Sequence, residues 1–268
     1  MKKCAFCSIT LPILTKKRYL YIRINHDSYE KNIFCPFFAC CGGASAAEFA
    51  DTSVPNQMID LGVRFGISSS NLSADIPHAG EECNFSWKRG FTAGVVMNLN
   101  IRDFFSMQPG FYFENRSYDY STIRHDADRR ALETNLGHTR RYAFSIPVLA
   151  SFHFNISNAV RWDVEAGPYF SFGIGDGKDE VTAIAVSAPS NTPGRYSYIT
   201  GKRDYYGDDV WQHRNFDCGV QIGTGVEVMD HYVFNISYQR GLRNVAGAHD
   251  LGWSMKNKGW NFAIGYKF

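Results

Sequence analysis

From Ile59 to Phe268, apolar and polar residues alternate with a period of two in eight separate stretches. That period puts one residue set on each face of a β-strand, whereas an amphipathic helix repeats every 3.6 residues. The stretches are Ile59–Ile67, Phe91–Leu99, Phe105–Phe113, Tyr142–Phe154, Trp162–Phe172, Phe216–Val228, Tyr232–Tyr238 and Trp260–Phe268. Their typical length of about ten residues is what a tilted strand needs to cross a bilayer. Short turns at 101–103, 156–159 and 229–231 alternate with long polar segments at 69–88, 116–139, 174–214 and 241–257, which are expected to be loops. This pattern predicts an all-β fold: an eight-stranded antiparallel up-and-down transmembrane β-barrel spanning 58–268. The even strand count puts both termini and the three turns in the periplasm, with the four loops outside the cell.

The identity of the two faces decides between a membrane barrel and a soluble one. The polar face carries Gly62, Gly66, Gly94, Gly110, Gly167, Gly219, Gly223 and Gly265. Glycine weakens an exposed strand face and covers nothing, but it suits the crowded interior of a narrow barrel. The apolar face then points to lipid, and its ends carry aromatics. Phe154, Trp162, Tyr232 and Phe268 stand at the turn end, and Tyr142, Phe172, Tyr238 and Trp260 at the loop end. Two such girdles are expected at the membrane interfaces. The mean hydropathy of −0.28 does not conflict with this, because alternating strands average to near neutral.

Charge and cysteine are concentrated at the start of the chain. Residues 1–46 hold seven Lys/Arg, two Asp/Glu and five of the seven cysteines: Cys4, Cys7, Cys35, Cys40 and Cys41. The rest is slightly acidic, with 21 basic and 24 acidic side chains, so the sequence gives no support for nucleic-acid binding. Cys83 and Cys218 are too few for a disulfide framework or a zinc site. They could bridge in an oxidising compartment, although a small apolar role for Cys218 fits its lipid-facing register better. Lys31-Asn32, the apolar run Ile33–Cys41 and the small residues at Ala44-Ser45-Ala46 have the layout of a cleaved export signal. Residues 1–46 are therefore expected to be a leader containing the export signal, one explanation of its length being a true start downstream of Met1, and 47–57 a short periplasmic segment. The alternatives are a lipoprotein signal ending at Cys40 or Cys41 and a buried N-terminal strand.

Several stretches resemble the PorT-like outer-membrane barrel family of Gram-negative bacteria: Asp60–Leu72, Phe144-Ser145-Ile146-Pro147-Val148-Leu149, Glu165-Ala166-Gly167-Pro168-Tyr169, Asp217–Glu227, Tyr238–Leu242 and Gly265-Tyr266-Lys267-Phe268. The resemblance covers about 57–268. It implies a C-terminal aromatic, here Phe268, read by the barrel-assembly machinery. It carries no shared catalytic set and no cofactor.

Eight strands enclose an interior just wide enough for side chains. Arg64, Glu114, Asp163, Glu165, Asp217, Glu227 and Lys267 fall on the inward register. They are of both signs, and are expected to pair and plug the lumen. The third long segment carries Tyr196, Tyr198, Tyr205, Tyr206 and Trp211, read as exposed anchors for an envelope protein or surface ligand. The expected function is a non-enzymatic structural or interaction role in the outer membrane: adhesion, membrane integrity, or part of a secretion or uptake assembly. Two alternatives stay open. One is an outer-leaflet protease or acyltransferase using Asp208, Asp209 and His213, residues that could also hold a metal. The other is a narrow channel.

Overall fold

The computed structural model describes residues 49–75, 81–125, 131–187, 195–207, 212–247 and 252–268. The leader predicted over 1–46 lies outside the described residues. Ten strands follow in order: β1 (Ile59–Asp75), β2 (Glu81–Arg102), β3 (Phe105–Asn115), β4 (Tyr118–His125), β5 (Ala131–Ser157), β6 (Val160–Ser187), β7 (Arg195–Arg203), β8 (Phe216–Val228), β9 (Tyr232–Gly241) and β10 (Ser254–Lys267). All pair antiparallel. Eight of them, β1, β2, β3, β5, β6, β8, β9 and β10, form a ring of sequential neighbours. The ring closes where β10 pairs β1, from Gly62↔Lys267 to Asp75↔Ser254. Closure leaves no open edge in the ring, so every ring strand has a partner on both sides.

Three of the segments expected to be loops are largely strand. β1 and β2 run on to Asp75 and Glu81. β4 continues the line of β3 and pairs with β2 and β5, from Trp87↔Tyr118 to His125↔Ala131. β6 runs 28 residues and is extended further by β7, from Asp179↔Arg203 to Ser187↔Arg195. The apolar residues of these extensions do not keep to one face: Leu72 and Tyr118 turn into the mouth, whereas Leu136 and Ile199 are exposed. Above a membrane neither face of a hairpin has to be apolar, so the hydrophobic period fades while the backbone ladder continues. β2 absorbs one extra residue between Thr92↔Glu114 and Trp87↔Tyr118. That bulge lets the extension follow its own course.

The outward face is an apolar belt. Ile59, Leu61, Phe65 and Ile67 on β1 are 56–60% exposed, and Phe262, Ile264 and Phe268 continue the belt at the closing seam. The interval from Ile59 to Ile67 spans about 26 Å along the strand, in keeping with a barrel's apolar band of about 25 Å. The inward face is buried and polar, from Asp60 and Arg64 to Gln239 and Asn257. The glycines named above lie on this inner register. At Gly66 an added Cβ would sit 2.2 Å from the Phe262 carbonyl oxygen, and at Gly167 it would sit 2.2 Å from that of Val148. Only glycine allows the neighbouring backbone that close.

One end has tight turns. The β8–β9 turn, residues 229–231, places Met229 and Asp230 at φ of 55° and 61°, left-handed backbone in which the chain reverses. Residues 49–57 pack on this end: the Asn155 amide donates to the Phe49 carbonyl at 2.9 Å and the Phe104 amide to that of Asp51 at 3.0 Å. The Phe49 ring stacks on Phe154 at 5.0 Å.

Candidate functional site

The lumen is filled by polar side chains that bond one another, and all but Arg116, which lies between β3 and β4, reach it by strand alternation. Nearest the turns, Lys267 on β10 bonds Glu227 on β8. Alongside, Ser106 Oγ lies 2.7 Å from His153 Nε2, and His153 Nδ1 lies 2.6 Å from Asp163 Oδ1. This is the layout of a nucleophile, base and orienting acid. Ser106 is wholly buried at 0% exposure, and a substrate needs a cavity at the nucleophile. The three residues instead tie β3, β5 and β6 together.

At mid-height Arg64 donates to Gln108 at 3.1 Å and lies 3.6 Å from Glu165. The Asn235 amide donates to Glu165 at 3.0 Å. One step toward the other end, Arg116 is the hub. It bonds Glu114 at 2.6 Å, donates to Gln239 and lies 3.8 Å from Asp217. Tyr169 and Asn257 both donate to Asp217, at 3.1 and 2.9 Å. Arg141 donates to Asn257 at 2.6 Å. The cavities left between these groups measure about 10 and 20 Å³, room for no more than about one water each.

The mouth at the hairpin end is closed by an apolar and aromatic cluster. Leu72, Tyr118, Tyr205, Val245, Trp253 and Met255 are each at most 6% exposed. Tyr205 stacks on His213 at 4.3 Å and 10°. The Tyr118 hydroxyl lies 3.2 Å from both the Tyr205 hydroxyl and His213 Nε2. The Arg141 guanidinium sits 5.2 Å from the Tyr205 ring centre and 5.6 Å from that of Tyr118. Beside them Asp179 accepts from Tyr120 and Arg203, both at 2.8 Å. Burial lowers the His213 pKa to about 3, and the Arg141 and Arg203 charges push the same way. Burial also raises the Tyr118 and Tyr205 phenols above the usual tyrosine range. Both rings and the imidazole are therefore neutral at pH 7.

The seven lumen charges expected from sequence all point inward, and the structure pairs Arg64 with Glu165 and Lys267 with Glu227. Glu114, Asp163 and Asp217 find other partners: Arg116 for the first and third, His153 for the second. Arg116 was missed because it sits past the last alternating residue of its stretch. The glutamines and asparagines were missed because they carry no charge to flag. Among the expected surface aromatics, Tyr205 is corrected: it is 2% exposed and closes the mouth. Tyr206 is half-buried against it, the rings 4.9 Å apart at 90°. A cluster of aromatic rings lowers its energy by covering the barrel's open end, which a linear reading cannot anticipate. Tyr196 and Tyr198 lie on β7, whereas Trp211, Asp208 and Asp209 lie outside the described residues. His213 is buried, 6% exposed. Phe268 ends the closing seam, its amide bonded to the Leu61 carbonyl at 2.8 Å. Cys218 is a thiol without a disulfide.

Comparison with known proteins places these features in context. The family described as outer membrane protein beta-barrel domain matches residues 49–247. Among solved structures, the chain is similar to Ail, the attachment invasion locus protein of Yersinia pestis, in complex with the heparin analogue sucrose octasulfate, at 14% identity and a TM-score of 0.37, covering 79% of this chain and 100% of that one. It is also similar to OprG from Pseudomonas aeruginosa, at 10% identity and a TM-score of 0.37, covering 82% and 97%. Neisserial surface protein A aligns at 11% identity and a TM-score of 0.34, covering 77% and 97%. No curated protein matches the chain.

Proposed function

The chain belongs to the outer membrane protein beta-barrel domain family, and on that premise we propose that it is a closed, non-enzymatic outer-membrane barrel whose working surface is its long hairpins. The observation that carries this reading is the combination of a lumen packed with mutually bonded side chains and strands that continue past the apolar belt. A packed lumen has no path for a solute. The β4–β5 and β6–β7 extensions present Leu136 at 47% and Ile199 at 69% exposure, apolar groups held above the belt where a partner protein or surface ligand meets them. In this reading the turns and both termini face the periplasm, the hairpins face outward, and residues 31–46 direct export. Phe268 serves the barrel-assembly machinery, and the motif order supports a PorT-like branch.

Two measurements test it. The folded barrel in planar bilayers gives no steady unitary conductance; stable single-channel steps in the unaltered protein would overturn the closed-barrel reading. Replacing residues 181–201 by a two-residue Asn-Gly turn leaves folding intact but lowers surface adhesion and partner capture. Unchanged adhesion and capture would remove the hairpin from the function.

A further inference from the structure

Four cations sit in a band at the hairpin-end rim of the apolar belt, on the strands that close the ring. Lys258 and Arg240 are direct cross-strand partners on β10 and β9. Lys256 is one outward step above Lys258. Arg89 on β2 pairs with Ser69, which pairs in turn with Trp260. Like charges placed opposite each other repel. Among the described residues none of the four has a carboxylate within ion-pair distance, whereas Lys88 beside them pairs with Asp119; on the opposite wall Arg140 and Lys178 also face each other across β5 and β6. The Lys258 ammonium lies 5.4 Å from the Trp87 ring centre, which fixes one cation beside an exposed aromatic.

Below, on β1, β9 and β10 and reaching across β8 to Trp162 on β6, is an open apolar groove of about 750 Å³, walled by Phe65, Ile67, Ile236, Phe262 and Ile264. Two outward steps of β10, through Trp260, separate Phe262 from Lys258, a rise of about 13 Å along the strand. A cluster of unmatched cations over a groove of acyl-chain width is complementary to a molecule with several phosphates above several acyl chains.

We propose that the β9–β10–β1–β2 face binds a phosphorylated, multiply acylated glycolipid of the outer leaflet, its phosphates on Lys258, Arg240, Lys256 and Arg89 and an acyl chain in the groove. Two phosphates bridging four cations relieve the Lys258–Arg240 repulsion, which a single-phosphate lipid does less completely. The proposal rests on the hairpin end facing outward, as argued above.

The test uses the full folded barrel in detergent. Bisphosphorylated lipid A, its dephosphorylated form and phosphatidylglycerol are titrated separately, with bound lipid read by native mass spectrometry. The bisphosphorylated form binds tightest, and Lys258→Gln with Arg240→Gln weakens it about tenfold or more, whereas the dephosphorylated form binds both proteins equally. The double variant's fold is checked by its heat-modifiable gel migration; if it does not fold, Arg89→Gln with Lys256→Gln is read in the same titration. Equal binding of the phosphorylated and dephosphorylated lipids, or of phosphatidylglycerol and lipid A, would overturn the proposal. So would a folded variant that binds like the parent. Membrane fractionation is read separately: a chain absent from the outer membrane sinks the functional reading, whatever lipid the detergent-held barrel selects.

Discussion

At the scale of single residues, one arginine and one histidine show what the lumen and mouth depend on. Arg116 is buried, and its charge is matched by Glu114 and Asp217 while Gln239 takes a further donor. Arg116→Ala strands two buried carboxylates and is expected to destabilise the barrel by about 3–5 kcal/mol, seen as a lower denaturant midpoint for the folded form. His213 gives a pH dependence. Its folded pKa of about 3 lies below the 6.5 of the unfolded chain, so at pH 7 it is neutral in the folded state and only about a quarter protonated in the unfolded one, and its slope there is small. As pH falls below 6.5 the unfolded chain takes up the proton first. Stability then decreases progressively, by about 2 kcal/mol at pH 5, and the decline continues toward pH 3. Hydrogen exchange at β7 amides measures it as earlier opening in acid. His213→Phe should flatten the acid slope over that range while keeping the stacking on Tyr205.

At the scale of elements, eight core strands were readable from sequence and three long extensions were not. Ile59–Ile67 and Trp260–Phe268 alternate because lipid meets one face and the packed lumen the other. Along 131–139 and 174–187 no such contrast exists, and backbone ladders make them strand: β5 with β6 from Glu133↔Ala185 to Arg140↔Lys178, β4 with β5, and β6 with β7. The turns carry a smaller lesson. Met229 and Asp230 occupy left-handed backbone, which methionine disfavours and aspartate reaches less readily than glycine. Asp230→Gly is expected to stabilise the barrel by about 0.5–1 kcal/mol, read as a higher thermal midpoint of the heat-modifiable band. A lower midpoint would mean that the aspartate side chain holds the turn.

At the scale of the whole molecule, stability comes from closure. The β1–β10 seam pairs fourteen residues, from Gly62↔Lys267 to Asp75↔Ser254, and the network across the lumen joins strands on opposite walls. Removing residues 260–268 takes away most of that seam inside the belt. The truncated chain is then expected to show no heat-modifiable migration, because an open edge in lipid leaves backbone groups unsatisfied. A truncated chain that still migrates as a folded barrel would show that closure is not required. The β6–β7 hairpin is expected to tolerate shortening without loss of the ring, because it lies outside the seam and pairs only above the belt.

The sequence by itself determined the eight core strands, their lipid-facing and lumen-facing sets, and the inward position of all seven predicted charges, because a two-residue period assigns every side chain to one face. It could not determine who meets whom across the lumen. Arg64 reaches Glu165, about a hundred positions away, and Arg116 reaches Asp217, only once the ring has closed. Nor could it show that Tyr205 turns inward, since that depends on the gap left above the lumen and on Tyr118, Arg141 and His213 being there to receive it. Alternation is a local property of the chain, whereas partnership is a property of the closed barrel.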